Sequence, residues 1–195
     1  MAQEIEAKFR VDDFGMTRAR LERCDAQRVG QVLESDRILD TPERKLLAED
    51  RALRLRTRAP LDGDRVVPAT LTYKGPRAAA VAKIREEIET TVGDVTATAA
   101  LLERLGLREV IVYEKRRESW KIGACTVCLD ELPRLGRFVE VEGPSLEALE
   151  ATLDLLGLAL PGSLRETYVE MVAVRGELSA EGVRSVRFEP DGDAT

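Results

Sequence analysis

Charged side chains recur at every second position in strand after strand of this chain. Successive residues of a strand point to opposite faces, so each such run has one apolar face and one charged face. From Gln3 to Val11 the apolar face is Ile5, Ala7, Phe9 and Val11, and the other is Glu4, Glu6, Lys8 and Arg10. The same alternation returns in Arg54 and Arg56, Lys74, Arg85 with Glu87 and Glu89, Lys115 with Arg117, Asp130, and Glu140 with Glu142. A single strand of this kind is an ordinary solvated sheet face. Its recurrence points to charged faces that meet in a common interior, with the apolar faces turned outward against helices. Unpaired buried charge is very costly, so such a lumen needs both signs. Its charges pair with one another, or they bind a polyanion together with counter-cations.

Alternation predicts strands at 3–11, 35–40, 52–58, 69–74, 81–92, 109–120, 124–130 and 138–142. Helical spacing and caps predict helices at about 14–24 behind Asp12-Asp13, at 94–105, at 145–156 with Ser145 as N-cap, and at 164–174. The expected fold is α+β: one eight-stranded antiparallel β-barrel with helices packed outside. The apolar stripes at 97–105 and 145–156 are the expected covers, with a thinner one at 14–24. One domain is expected over 1–175. The polar, Gly/Asp-rich stretch 176–195 reads as a mobile tail.

Composition narrows the chemistry. The chain has 195 residues and no histidine, which removes histidine triads and a histidine general base. Cys125 and Cys128 form a CxxC, but residues three apart in a strand face opposite ways, so they read as ordinary thiols. The net charge of −6 argues against a general nucleic-acid binder. No long apolar run predicts a membrane span, and the acidic start is unlike a signal peptide, so a cytoplasmic protein is expected. Arg and Lys supply donors for phosphate oxygens. Glutamates at i and i+2 of a strand put two carboxylates on one face, and such oxygen-rich ligation suits Mg²⁺ or Mn²⁺.

Glu4-Ile5-Glu6-Ala7-Lys8 resembles the ExExK signature of the CYTH superfamily, the triphosphate tunnel metalloenzymes. That motif alone is weak; the order of those that follow is specific. Leu53-Arg54-Leu55-Arg56 looks like the family's LRxR strand, and Tyr73-Lys74-Gly75-Pro76 its lysine strand and turn. Arg85-Glu86-Glu87-Ile88-Glu89 is similar to RxExE, and Lys115-Arg116-Arg117 to KxR. Leu129-Asp130-Glu131, Leu135-Gly136 and Phe138-Val139-Glu140-Val141-Glu142 resemble the LDE…LGxFxExE segment, and Thr167-Tyr168-Val169-Glu170 the start of the terminal helix. The resemblance spans roughly residues 3–173.

It implies that Glu4, Glu6, Glu140 and Glu142 are the principal metal ligands, supported by Glu87, Glu89 and Asp130. It implies that Arg54, Arg56, Lys74, Arg85, Lys115 and Arg117 hold a triphosphate, with Lys8 lining the tunnel and orienting phosphate or the first-strand carboxylates. Glu4, Glu6, Lys8 and Lys74 are the expected catalytic set. Strand register decides whether Arg116 or Arg117 points inward, and Lys83 and Arg58 belong to either rim or lumen. The family includes class IV adenylate cyclases such as the CyaB type, thiamine triphosphatases, inorganic triphosphatases and fungal-type RNA triphosphatases. The expected activity is metal-dependent hydrolysis of inorganic or organic triphosphate. Cyclisation of ATP to cAMP and pyrophosphate is the alternative, and a non-catalytic triphosphate sensor a lesser one. The expected partner is a small-molecule triphosphate; a homodimer is left open. Trp120 either stacks a ring at the tunnel mouth or packs in the core, and packing is favoured.

Overall fold

The computed structural model describes residues 3–63, 66–77 and 83–189, with residues 3, 4, 83 and 84 by backbone alone. Eight strands form its frame: β1 (Gln3–Val11), β2 (Gln27–Asp40), β3 (Ala52–Pro60), β4 (Ala69–Lys74), β5 (Lys83–Val92), β6 (Arg108–Ile122), β7 (Cys125–Leu132) and β8 (Gly136–Gly143). They lie in the order β2-β3-β4-β5-β1-β8-β7-β6, and β2 also pairs with β6, so the ring of pairings closes. All eight of these pairings are antiparallel. The β2–β6 seam runs from Gln27 to Asp40, and among the described residues β1 meets β5 over Gln3–Glu6.

Strand β2 is much longer than the expected 35–40. A register shift between Arg28 and Gly30 marks a bulge near its start, and Gly30 takes φ +147 there, a backbone region that favours glycine. The bulge interrupts the period of two before Gly30, and from Gly30 to Ile38 the register is continuous.

The apolar faces point outward on one side of the barrel, as the alternation requires. Ala7, Phe9, Trp120, Cys125, Val127, Leu129, Val139 and Val141 are buried beneath Leu149, Leu153 and Leu156 of α4 (Leu146–Leu156), with Leu21 of α1 (Gly15–Arg23) at the margin. Ser145 caps α4, accepting from the Ala148 amide. No side chain caps α1; Asp13 instead accepts from the Gly15 amide. A one-turn helix, α2 (Lys45–Ala48), was not expected.

Three expectations need correction. First, α3 (Val95–Arg104) covers little: it buries no residue, and Leu101 remains 66% exposed. Its contact with the barrel is mainly with β3. Second, the last helix, α5 (Tyr168–Arg175), starts later than expected and does not lie outside. Tyr168, Met171 and Val172 pack on Ile38, Ile111, Tyr113 and Phe138, which share the inward face with the charged residues. This helix plugs one end of the barrel, and a capping box of Thr167 and Glu170 fixes its start. Third, the presumed tail contributes β9 (Glu177–Leu178) and β10 (Arg184–Val186). β7 pairs with β6 only from Arg116 onward, and β10 adds in parallel to the edge left open at Ile111–Tyr113. Filling that edge satisfies its backbone groups and buries Val186. Residues 190–195 of the expected tail lie outside the described residues.

Candidate active site

The charged faces surround a cavity of about 990 Å³ inside the barrel. Its lining includes Glu6, Lys8, Arg54, Arg56, Arg58, Lys74, Arg85, Glu87, Glu89, Lys115, Arg117, Glu140 and Glu142. The strand register accounts for this set: Glu6 stands opposite Glu142 and Lys8 opposite Glu140 on β1 and β8, while Arg117 stands opposite Asp130 on β6 and β7.

Carboxylate oxygens of Glu6, Glu140 and Glu142 all lie within 4.8 Å of one another. Burial holds the Glu142 carboxyl above its usual range; Arg117 opposes the shift, and Glu140 and Glu6 reinforce it. Three converging hard oxygen donors fit a divalent cation such as Mg²⁺ or Mn²⁺. Glu4 lies on the same face by register, opposite Arg85; its side chain is outside the described atoms, as is that of Lys83. The other expected ligands stand outside the trio. Glu87 pairs with Lys74, and Glu89 with Thr72 at 2.6 Å and Arg54 at 3.7 Å. Asp130, fully buried, accepts from Arg117 at 2.7 Å, Lys115 at 3.1 Å and the Tyr168 hydroxyl at 3.0 Å.

Arg117 is the inward residue. It also contacts Glu140, and lies 3.8 Å from Glu142 and 3.9 Å from Glu34. Arg116 faces out, 3.7 Å from Glu131 and 4.3 Å from the Phe188 ring. Arg58 reaches inward to Glu34 at 2.9 Å. Arg56 is gripped by Asp36 through two bonds of 2.5 and 2.7 Å. Burial raises the Asp36 carboxyl, but Arg56 outweighs it and holds the group at about 2. Lys8 lies 3.3 Å from Glu140, with its ammonium 3.5 Å above the Tyr168 ring. Arg85 meets Asp50 at 3.3 Å. Trp120 packs in the outer core with its indole N–H on Glu118. Cys125 joins that core, while Cys128 faces the cavity, its thiol pushed by burial up to about 12.

Sequence reasoning missed Glu34, Asp36, Asp50 and Tyr168 as members of this site. Glu34, Asp36 and Ile38 alternate on one face; Glu34 precedes the expected strand 35–40, and Asp36 lies within it as a single acid between uncharged Ser35 and basic Arg37. Asp50 sits on a connection, where no periodicity marks it.

A model of the CYTH domain matches residues 2–152. The chain belongs to the CYTH domain family. Among its relatives is a Methanocaldococcus jannaschii protein named "Putative adenylate cyclase MJ0240", 28% identical over 177 residues, covering 86% of this chain and 97% of that one. The CYTH fold is shared with the PH1819 protein of Pyrococcus horikoshii at 29% identity and a TM-score of 0.75, covering 87% and 98% of the two chains. It is also shared with HpAC1 from Hippeastrum, described as having a dominant triphosphatase activity, at 20% identity and a TM-score of 0.57 over 80% and 88%. Among the described residues no helix is long and apolar enough to cross a membrane.

Proposed function

We propose that this chain is a divalent-metal-dependent enzyme that hydrolyses a triphosphate held in the barrel cavity. The observation that carries this reading is a row of cationic side chains and a converged carboxylate trio on the walls of one cavity. Arg54, Arg56, Lys74, Arg85, Lys115 and Arg117 present donors that phosphate oxygens accept. Glu6, Glu140 and Glu142, joined by Glu4 on the same face, would hold Mg²⁺ or Mn²⁺. When bound, the ion supplies charge neutralisation and an activated water. Phosphoryl transfer demands mainly positioning and electrostatic stabilisation, so a histidine-free site suffices. Lys8, fixed between Glu140 and the Tyr168 ring, orients the first carboxylates and the nearest phosphate. Glu87, Glu89 and Asp130 hold Lys74, Arg54 and Arg117 in place. That the same fold carries triphosphatase activity in HpAC1 supports hydrolysis.

A second reading, cyclisation of ATP, is favoured by the name of the M. jannaschii relative. Both reactions use the same triphosphate grip. Release of phosphate, pyrophosphate and cAMP from inorganic triphosphate, thiamine triphosphate and ATP, each with Mg²⁺ and Mn²⁺, separates them. Phosphate from triphosphates with no cAMP is the expected result; cAMP with pyrophosphate would establish the second reading. EDTA should abolish turnover, and Glu6→Gln should reduce it severely while the protein stays folded. Full activity of that variant would sink the metal assignment.

A further inference from the structure

Glu34 occupies an unusual place among the buried acids. It is 2% exposed and lies outside the carboxylate trio. Four of the cavity's cations converge on it: Arg58 at 2.9 Å, Arg56 at 3.0 Å, Lys115 at 3.3 Å and Arg117 at 3.9 Å. Its Oε1 accepts hydrogen bonds from Arg56 and Arg58, but its Oε2 accepts none with good alignment. Charge alone holds that oxygen. Asp36 is different, because Arg56 clamps both of its oxygens.

We propose that Glu34 is a positioning residue of the tunnel, an anion built into the wall that gathers Arg56, Arg58, Lys115 and Arg117 and competes with the substrate's phosphates for them. This rests on the triphosphate reading above. Several cations in a buried site need a counter-charge while no substrate is there. Glu34 supplies it, and its loosely aligned oxygen lets the cations turn to a better anion. Such an anion must carry several charges to prevail over a carboxylate already in place. Glu34 therefore selects triphosphate over a single phosphate, at a cost in affinity. Despite burial, the surrounding cations, Arg56 foremost, hold its carboxyl well below the usual range, so the competitor stays charged at neutral pH.

The test is calorimetric titration of metal-free protein with inorganic triphosphate and with inorganic phosphate, paired with steady-state kinetics under Mg²⁺. The proteins are wild type, Glu34→Gln, Glu34→Asp and Arg37→Ala as a surface control. Glu34→Gln should bind triphosphate about tenfold more tightly, equivalent to about 1.4 kcal/mol. It should also acquire measurable binding of single phosphate and show a lower kcat. Glu34→Asp, with its charge drawn back by one methylene, should fall between wild type and Glu34→Gln. A purely structural residue would lower the melting temperature without tightening binding. Folded Glu34→Gln that binds triphosphate no more tightly than wild type overturns the proposal. If that variant does not fold, Glu34→Asp binding no more tightly than wild type does the same. Wild type that binds triphosphate neither without metal nor with Mg²⁺ overturns the functional reading along with it.

Discussion

Arg117 is the residue on which the acids of the cavity wall converge, through Asp130, Glu140, Glu142 and Glu34. Arg117→Ala should therefore lose a desolvated, charge-assisted phosphate contact, on the order of 2–4 kcal/mol in kcat/KM. The loss should be similar on any two triphosphates, since they share that moiety. Arg37, which pairs with Glu109 outside the cavity, should tolerate alanine. Equal losses in Arg37→Ala and Arg117→Ala would show that substrate sits elsewhere. The Asp36–Arg56 pair makes a prediction about acid. Asp36 stands near 2 in the fold against about 3.9 in the unfolded chain. A depressed carboxyl stabilises the fold above the unfolded value and ceases to do so as pH falls through the folded value. That contribution, about 2–3 kcal/mol, is complete above about pH 4 and lost toward pH 2. Urea unfolding should show the gap between wild type and Asp36→Asn narrowing by that amount over this window. A gap independent of pH would show that Arg56 does not depress the Asp36 carboxyl.

At the scale of elements, two helices of similar apolar composition do different work. Leu153 on α4 is 1% exposed, while Leu101 on α3 is 66% exposed. Leu153→Ala should cost about 2–5 kcal/mol through lost burial and the cavity left behind. Leu101→Ala should stay within about 0.5 kcal/mol, as surface changes do. Equilibrium denaturation measures both, and a large loss from Leu101→Ala would mean that α3 is a real cover. The helical patterns of both were plain in the sequence. Which strands lay beneath each was not, because that follows from the order of strands around the barrel. Helix α5 teaches the same lesson. Its capping box is written in Thr167 and Glu170, yet only packing sends Tyr168 into the lumen to meet Lys8 and Asp130.

For the whole molecule, the cavity gathers many charges of both signs at close range. A polyanion with its cation binds the folded barrel and has no such site on the unfolded chain, so it should raise the melting temperature. At a hundred times its dissociation constant a ligand of this kind adds about 2.7 kcal/mol. Inorganic triphosphate with Mg²⁺ should shift the melting curve upward. An unmoved curve at millimolar ligand would mean that the cavity does not take triphosphate.

Most of the barrel was legible because a strand's period of two is local. Glu6, Lys8, Arg56, Lys115 and Glu140 could be placed on inward faces from their own neighbours alone. Composition likewise confined the chemistry to oxygen ligands and basic donors, since the chain has no histidine. What lay beyond the sequence was everything set by contact between distant segments. Strand β2 runs back to Gln27 because it pairs with β6 along that length, and this carries Glu34 onto the lumen face with Asp36 and Ile38. Register chose Arg117 over Arg116, and closure of β2 on β6 brought Glu34 to Lys115 and Arg117. Periodicity tells which way a side chain points. Which opposite charge it meets there depends on shear, closure and the plugging helix, and these exist only once the strands have paired.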